Sequence, residues 1–225
     1  MTNPVLVEAT RGPLVESRHR GAIAIVDAGG EHRAAIGDVD RPVFPRSSVK
    51  LIQALPLVES GAADAFGYGQ EELALACASH SGERSHTELA RRMLETCGCA
   101  DSDLECGVQV PTHRETANAI VRSGGAPSAL HNTCSGKHAG FVALARHLDV
   151  DPSGYVKPDH PVQKEVAAVL AATTGATLSS EMRAVDGCSI PSYAIPLERL
   201  ALAFARLVTG EGQSAERAAA AQRLF

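Results

Sequence analysis

Residues 5–27 read VLVEATRGPLVESRHRGAIAIVD, and the punctuation of this stretch decides the fold class. Val5–Thr10, Leu14–Arg18 and Ala22–Asp27 are short runs of strand-favouring composition. Arg11-Gly12-Pro13 separates the first two, and Gly29-Gly30 follows the third, so the runs predict antiparallel strands joined by hairpins. Arg33–Ile36 adds a further strand.

The period changes after Pro45-Arg46-Ser47-Ser48. Leu51, Leu55 and Val58 recur at helical spacing and predict a buried helix that starts near Ser47 and is kinked or shortened at Pro56. Ser85–Thr96 reads as a helix ended by Gly98, and Glu115–Ser123 as one stopped by Gly124-Gly125. Gly136–Leu148 is a helix with Phe141, Leu144, Ala145 and Leu148 on one face. Pro161–Thr173 and Pro196–Thr209 each carry proline near the first turn and glycine past the end. Ser214–Phe225 reads as an alanine-rich helix that stops without a cap or a closing strand. Leading strands followed by many helices predict the α+β class, an antiparallel sheet packed with helices. With 225 residues and no internal repeat or low-complexity linker, residues 1–225 are expected to form a single domain.

The formal charge of −5 and pI of about 6.0 argue against a nucleic-acid partner, which needs a basic stripe to neutralise phosphates. No basic-then-apolar leader opens the chain, and no apolar run approaches the ~20 residues that span a bilayer. A soluble cytoplasmic protein is expected. In that setting Cys77, Cys97, Cys99, Cys106, Cys134 and Cys188 are read as thiols or metal ligands rather than a disulfide framework. Cys97-Gly98-Cys99 is too tight for a standard zinc knuckle and, with Cys106, belongs to a loop.

Four segments carry chemistry. In Ser47-x-x-Lys50, helical spacing puts a hydroxyl and an amine on one face, where a lysine with a pKa lowered by burial can activate the serine. This is the arrangement of acyl-enzymes related to penicillin-binding proteins. The same residues could instead be a helix cap and a solvated lysine. Ala78-Ser79-His80-Ser81-Gly82-Glu83 leaves the apolar run Leu73–Cys77 for a loop whose small residues let a ligand approach the backbone; the other reading is a plain turn with His80 bonded locally. His86 reads as structural or solvated. Asn132-Thr133-Cys134-Ser135-Gly136-Lys137-His138 leads into a helix whose first amides lower a cysteine pKa, so Cys134 is a candidate nucleophile or metal ligand, or else a buried cysteine beside a Ser/Thr cap. A phosphate loop is excluded because His131 and His138 stand where that motif has Gly and Ser/Thr. Asp186-Gly187-Cys188-Ser189 places a carboxylate two residues from a thiol, suited to a metal shell, to acid–base work, or to an Asp turn.

These four segments, in this order, resemble the zinc-associated bacterial asparaginase family typified by the inducible rhizobial enzyme. The likeness rests on Pro45-Arg46-Ser47-Ser48-Val49-Lys50, Ala78–Glu83, Asn132–Gly140 and Asp186-Gly187-Cys188-Ser189, and extends over essentially the whole chain from Val5. It implies a fold similar to serine β-lactamases and glutaminases, and hydrolysis of the side-chain amide of L-asparagine. Ser47 is then the nucleophile, Lys50 its base and Ser79 the second serine of the site. Arg46, His80, His138 and Asp186 are expected around the substrate. Zinc is expected on Cys134, Lys137 and Cys188, with water completing the shell and Lys137 binding as a neutral amine. A homodimer is implied as well. The family's chain continues past the position of Phe225 and carries there a lysine that pairs with the second serine, whereas this sequence has no lysine after Lys164. The resemblance therefore implies a chain lacking its C-terminal portion and weakly active or inactive. Two rival readings are a zinc-activated water attacking the amide with no covalent intermediate, and a binding module that holds zinc or an amino acid without turnover.

Overall fold

A computed structural model describes residues 3–225. β1 (Val5–Arg11) and β2 (Leu14–Arg20) pair antiparallel around Gly12, whose φ of 60° is a left-handed conformation that glycine takes without penalty. β3 (Ile23–Val26) and β4 (His32–Ile36) make a second hairpin. Four shorter strands follow, β5 (Pro42–Val43), β6 (Arg183–Val185), β7 (Pro191–Tyr193) and β8 (Ile195–Pro196). β5 pairs with β8 and β6 with β7, both antiparallel. The helices are α1 (Lys50–Glu59), α2 (Ala62–Ala65), α3 (Gln70–Cys77), α4 (Arg84–Thr96), α5 (Arg114–Arg122), α6 (Ser135–His147), α7 (Pro161–Thr174), α8 (Leu197–Thr209) and α9 (Ala215–Leu224).

The class is α+β, as the order of strands and helices predicts. The strands pair in twos and do not merge into one sheet among the described residues. Register shifts at Val5/Val7, Ala9/Thr10 and Ile25/Val26 interrupt the two N-terminal ladders, and such bulges bend a strand and sharpen its twist.

α6 is the axis of the helical layer. Every residue from Ser135 to Ala145 is buried, the pattern of a helix packed on all sides. α1, α3 and α4 pack against it, α7 packs on α1 and α8, and α8 covers β3. Gly136 and Gly140 permit the approach. A Cβ on Gly136 would lie 2.4 Å from Leu75 Cγ and 2.6 Å from Leu75 O, and one on Gly140 would lie 3.2 Å from Leu57 Cδ2. Only glycine lets α6 sit this close to α3.

One expectation changes. The helix after Ser47 opens with a 3₁₀ turn, Arg46–Val49, before the α-helix proper, and Pro56 neither ends nor shortens it. Pro56 is itself buried with Ile52 and Leu55, and Ser60 N still donates to Pro56 O at 3.1 Å. Tertiary packing retains the last turn despite the missing N–H. α9 opens on Ser214, whose hydroxyl accepts from Arg217 N, and Arg217 in turn clamps Glu59 on α1 at 2.7 Å.

Candidate active site

The turn that delivers Ser47 is built from an unusual backbone. Arg46 has φ 54°, a left-handed conformation that an arginine adopts at a cost of roughly 1–3 kcal/mol unless its surroundings hold it. Here Arg46 Nε reaches Asp186 Oδ2 at 3.1 Å, and Ser48 Oγ donates to Pro45 O at 2.7 Å. Ser47 is left exposed, while Lys50, one turn on, is 2% exposed. Lys50 Nζ donates to Ser79 Oγ at 2.9 Å and to Ala78 O. Burial pushes the Lys50 pKa below the ordinary lysine value; the negative charge of Cys134 opposes that shift and Lys137 adds to it. Within this chain the amine that meets Ser79 is Lys50.

The loop Ala78–Glu83 leaves α3 and is stitched to the approach of α6 by His80 N donating to Thr133 O at 3.1 Å. Gly82 N donates to His80 Nδ1, which places the ring proton on Nε2, 2.8 Å from Ser135 Oγ; Ser135 Oγ donates onward to Leu130 O. Burial holds the His80 pKa down at about 4, with His86, stacked at 5.1 Å, pressing the same way. His80 is thus a neutral ring that fixes two loops.

Asn132 prepares the third segment. Its Nδ2 donates to Cys106 O and Gly107 O at 2.8 and 3.1 Å, and its Oδ1 accepts from Cys134 N at 2.9 Å. From the start of α6, Cys134 and Lys137 face Cys188: Lys137 Nζ lies 3.2 Å from Cys188 Sγ. The Cys188 thiol hydrogen-bonds Cys134, which lowers the Cys134 pKa, and Lys137 and Lys50 favour its thiolate further against the effect of burial. The same bond, with burial, raises Cys188. A tight turn presents Cys188: Asp186 N donates to Ile190 O at 2.8 Å, Ser189 N donates to Asp186 O, and Ser189 has φ 77°. Asp186 Oδ1 also accepts from Cys188 N at 3.4 Å.

Arg46, Ser47, Lys50, Cys134, Lys137 and Asp186 line one small pocket with Gln53, Ile190 and Ser192. Ser79 and Cys188 join it through Lys50 and Lys137. His80 and His138 stand apart. His138 is fully buried, its Nδ1 2.6 Å from Tyr155 OH and its ring edge-on to Phe141, and burial drives its pKa well below the ordinary value. Asn132 and Gln53 had no assigned role in the sequence reading. The readable signal for Gln53 is a polar residue among the buried apolar positions of α1, one turn from Lys50.

Among the described residues no group of three or more His, Cys, Asp or Glu has metal-holding geometry. The donor chemistry that does fit a zinc ion is mixed: the amine of Lys137 and the sulfur of Cys188, 3.2 Å apart, with the sulfur of Cys134 beside Cys188. Away from the pocket, Cys97 and Cys106 are buried thiols whose pKa values burial raises to about 12, and neither bonds the other.

A family model described as L-asparaginase II matches residues 7–225. No curated protein matches the chain at a significant level.

Proposed function

Because the chain belongs to the L-asparaginase II family, we propose that it hydrolyses the side-chain amide of L-asparagine by double displacement on Ser47. The observation that carries this reading is a dry lysine amine, Lys50, hydrogen-bonded to Ser79 in a pocket that also holds Ser47. Burial favours its neutral form, and a neutral amine is what a serine hydroxyl needs as base.

Ser47 Oγ attacks the amide carbon and its proton passes to Lys50. Ser79, bonded to the same amine, relays the proton to the leaving nitrogen. Ammonia departs and leaves a β-aspartyl ester on Ser47, which water hydrolyses to L-aspartate and the free serine. Arg46 and Asp186, paired at 3.1 Å, supply opposite charges at the rim, where an amino acid's carboxylate and ammonium groups bind. Cys134, Lys137 and Cys188 would hold zinc. When bound, zinc supplies positive charge that orients the substrate's polar groups. His80 and His138 act by holding the walls. A homodimer belongs to the same reading, and sedimentation equilibrium checks it.

Replacing Ser47 with alanine is expected to abolish ammonia release while leaving the far-UV CD spectrum intact. Retained turnover would remove Ser47 from the mechanism. Complete loss on chelation, with no trapping by a serine-directed acylating reagent, would favour attack by a metal-bound water. L-Asparagine binding by calorimetry without ammonia would leave a binding module.

A further inference from the structure

The pocket that gathers Ser47, Lys50, Cys134 and Lys137 has a volume of about 10 Å³, room for one water molecule. An amino acid has many times that bulk. Ser47 is exposed, but Lys50, Cys134 and Lys137 are buried. An amino acid resting on the surface would therefore meet the nucleophile and miss the groups that serve it. Something at the mouth of the pocket has to move.

The mouth has two lips, and one ion pair joins them. Arg46 stands on the turn that leads into α1, and Asp186 on the turn between β6 and β7. Arg46 Nε meets Asp186 Oδ2 at 3.1 Å, and Arg46 Nη2 donates to Asp186 Oδ1 at 3.5 Å, so the guanidinium lies side-on across the carboxylate. It also rests against the opposite turn: a Cβ on Gly187 would lie 3.7 Å from Arg46 Nη2. Among the described residues three that are not glycine take a left-handed backbone, and two of them, Arg46 and Ser189, belong to these two turns. Such conformations carry a cost and gather at functional sites and switches.

The pair is also weak. The Arg46 side chain is 62% exposed and that of Asp186 18%, and an ion pair so open to water is held by little and screened by salt. Weakness suits a catch that a small molecule must release. An amino acid brings a carboxylate for Arg46 and an ammonium for Asp186, so parting the two side chains leaves neither charge without a partner.

We propose that the Arg46–Asp186 ion pair is a latch that closes the pocket at rest, and that a zwitterionic amino acid opens it by taking the place of each partner for the other. The identity of the opener rests on the proposed function; the latch does not. Once open, Arg46 and Asp186 hold the two charged ends of the substrate, and its amide passes between the lips toward Lys50. A carboxamide without both charges leaves one partner unpaired, so the latch also selects for a free amino acid.

The test reads access to Cys134, a thiol that lines the pocket, in the metal-free full chain. Iodoacetamide is small and uncharged, and its attachment is mapped by peptide mass at fixed pH. Asp186→Asn and Arg46→Gln each abolish the ion pair, and the side-chain oxygen in Asp186→Asn can still accept from Cys188 N. Losing the carboxylate favours a nearby thiolate and losing the guanidinium disfavours it, so a purely electrostatic effect moves the two rates in opposite directions. An opened mouth raises both. Cys134 is expected to be alkylated about two- to fivefold faster in both variants, the worth of an exposed ion pair, with Cys97, buried away from the pocket, unchanged. Salt should speed the wild type and not the variants. Rates that move in opposite directions, no acceleration in either variant, or equal acceleration at Cys97 overturns the latch. A crystal of Ser47→Ala with L-asparagine identifies the opener, and Arg46 is expected on its carboxylate with Asp186 on its ammonium. An intact pair beside bound L-asparagine overturns the proposal. No bound L-asparagine, with both variants accelerated, supports the latch and removes L-asparagine from the functional reading.

Discussion

α6 and the β1–β2 hairpin are opposite environments built from similar residues. Along α6 every side chain from Ser135 to Ala145 is buried, including Lys137 and His138. In the hairpin every residue from Leu6 to Arg20 is exposed, hydrophobic and charged alike. Charges in the hairpin pair closely, Arg11 with Glu16 at 2.6 Å and Arg18 with Glu8 at 2.8 Å, yet in water such pairs contribute ~1 kcal/mol or less. Around α6, polar groups are few and dry, and burial displaces the pKa values of Lys50, His80 and His138. The chemistry proposed for this chain lies where desolvation is strong enough to alter it.

Lys50 gives the largest contrast. Lys50→Met is expected to lower kcat/KM by about 10²- to 10⁴-fold with the fold intact, the usual worth of a general base. Lys50→Arg should fail as well, because a guanidinium stays protonated. In the wild type, burial depresses the Lys50 pKa, so the neutral amine, and the rate, grow as pH rises through an ionisation below the ordinary lysine value. Ammonia release across pH checks all three. A loss under tenfold in Lys50→Met would assign the base elsewhere.

His80 sharpens the comparison through stability. Its pKa is about 4 in the folded chain against 6.5 for the free side chain. Between those values the unfolded chain takes up a proton that the folded chain refuses, so stability falls as pH drops through that window. A gap of that size is worth on the order of 3 kcal/mol. Urea unfolding of His80→Gln should show a shallower loss from pH 6.5 to 4 than the wild type. The slope will not vanish, since buried His138 adds a contribution of the same sign. An unchanged slope would show that His80 is not held neutral.

Gly136 tests the packing itself. Gly136→Ala puts a carbon 2.4 Å from Leu75 Cγ and 2.6 Å from Leu75 O, so the backbones of α6 and α3 must part. Overpacking of this kind costs about 1–3 kcal/mol. Because Cys134 and Lys137 ride at the start of α6, ammonia release should fall with Tm. A fall in Tm alone would separate the packing of α6 from the placement of the site.

How much of this was readable depends on how local each cause is. The strands from Val5 to Ile36 and the long helices follow from period and punctuation, and their ends move by a residue or two. β5 and β8 are two-residue strands from opposite ends of the chain, with no local signal to join them. In the site, spacing pairs Lys50 with Ser47, but the hydrogen-bond partners of the amine are Ser79 and the Ala78 carbonyl, contacts set by how α3 ends against α1. Lys137 and His138 are adjacent in sequence, yet successive residues on a helix point about 100° apart. One faces the pocket and the other the core, where it meets Tyr155. Residue types were legible; the direction each faces is a property of the packing.

The smallest expected effect belongs to the hairpin. Leu14 is 72% exposed at the tip of β2, so Leu14→Ser removes little buried area and should change the urea midpoint by less than about 0.5 kcal/mol equivalent. Val7, 58% exposed, should respond alike to threonine. The measurement gains force when repeated over a range of protein concentrations. A hairpin bathed in water gives the same small value at every concentration. If Leu14→Ser instead costs several times more, and the cost grows as the protein is concentrated, a second copy covers this face, and the contrast with α6 would hold only for the isolated chain. Mass action separates the two outcomes, because association stabilises the folded state in proportion to the logarithm of partner concentration, whereas burial within α6 is indifferent to it.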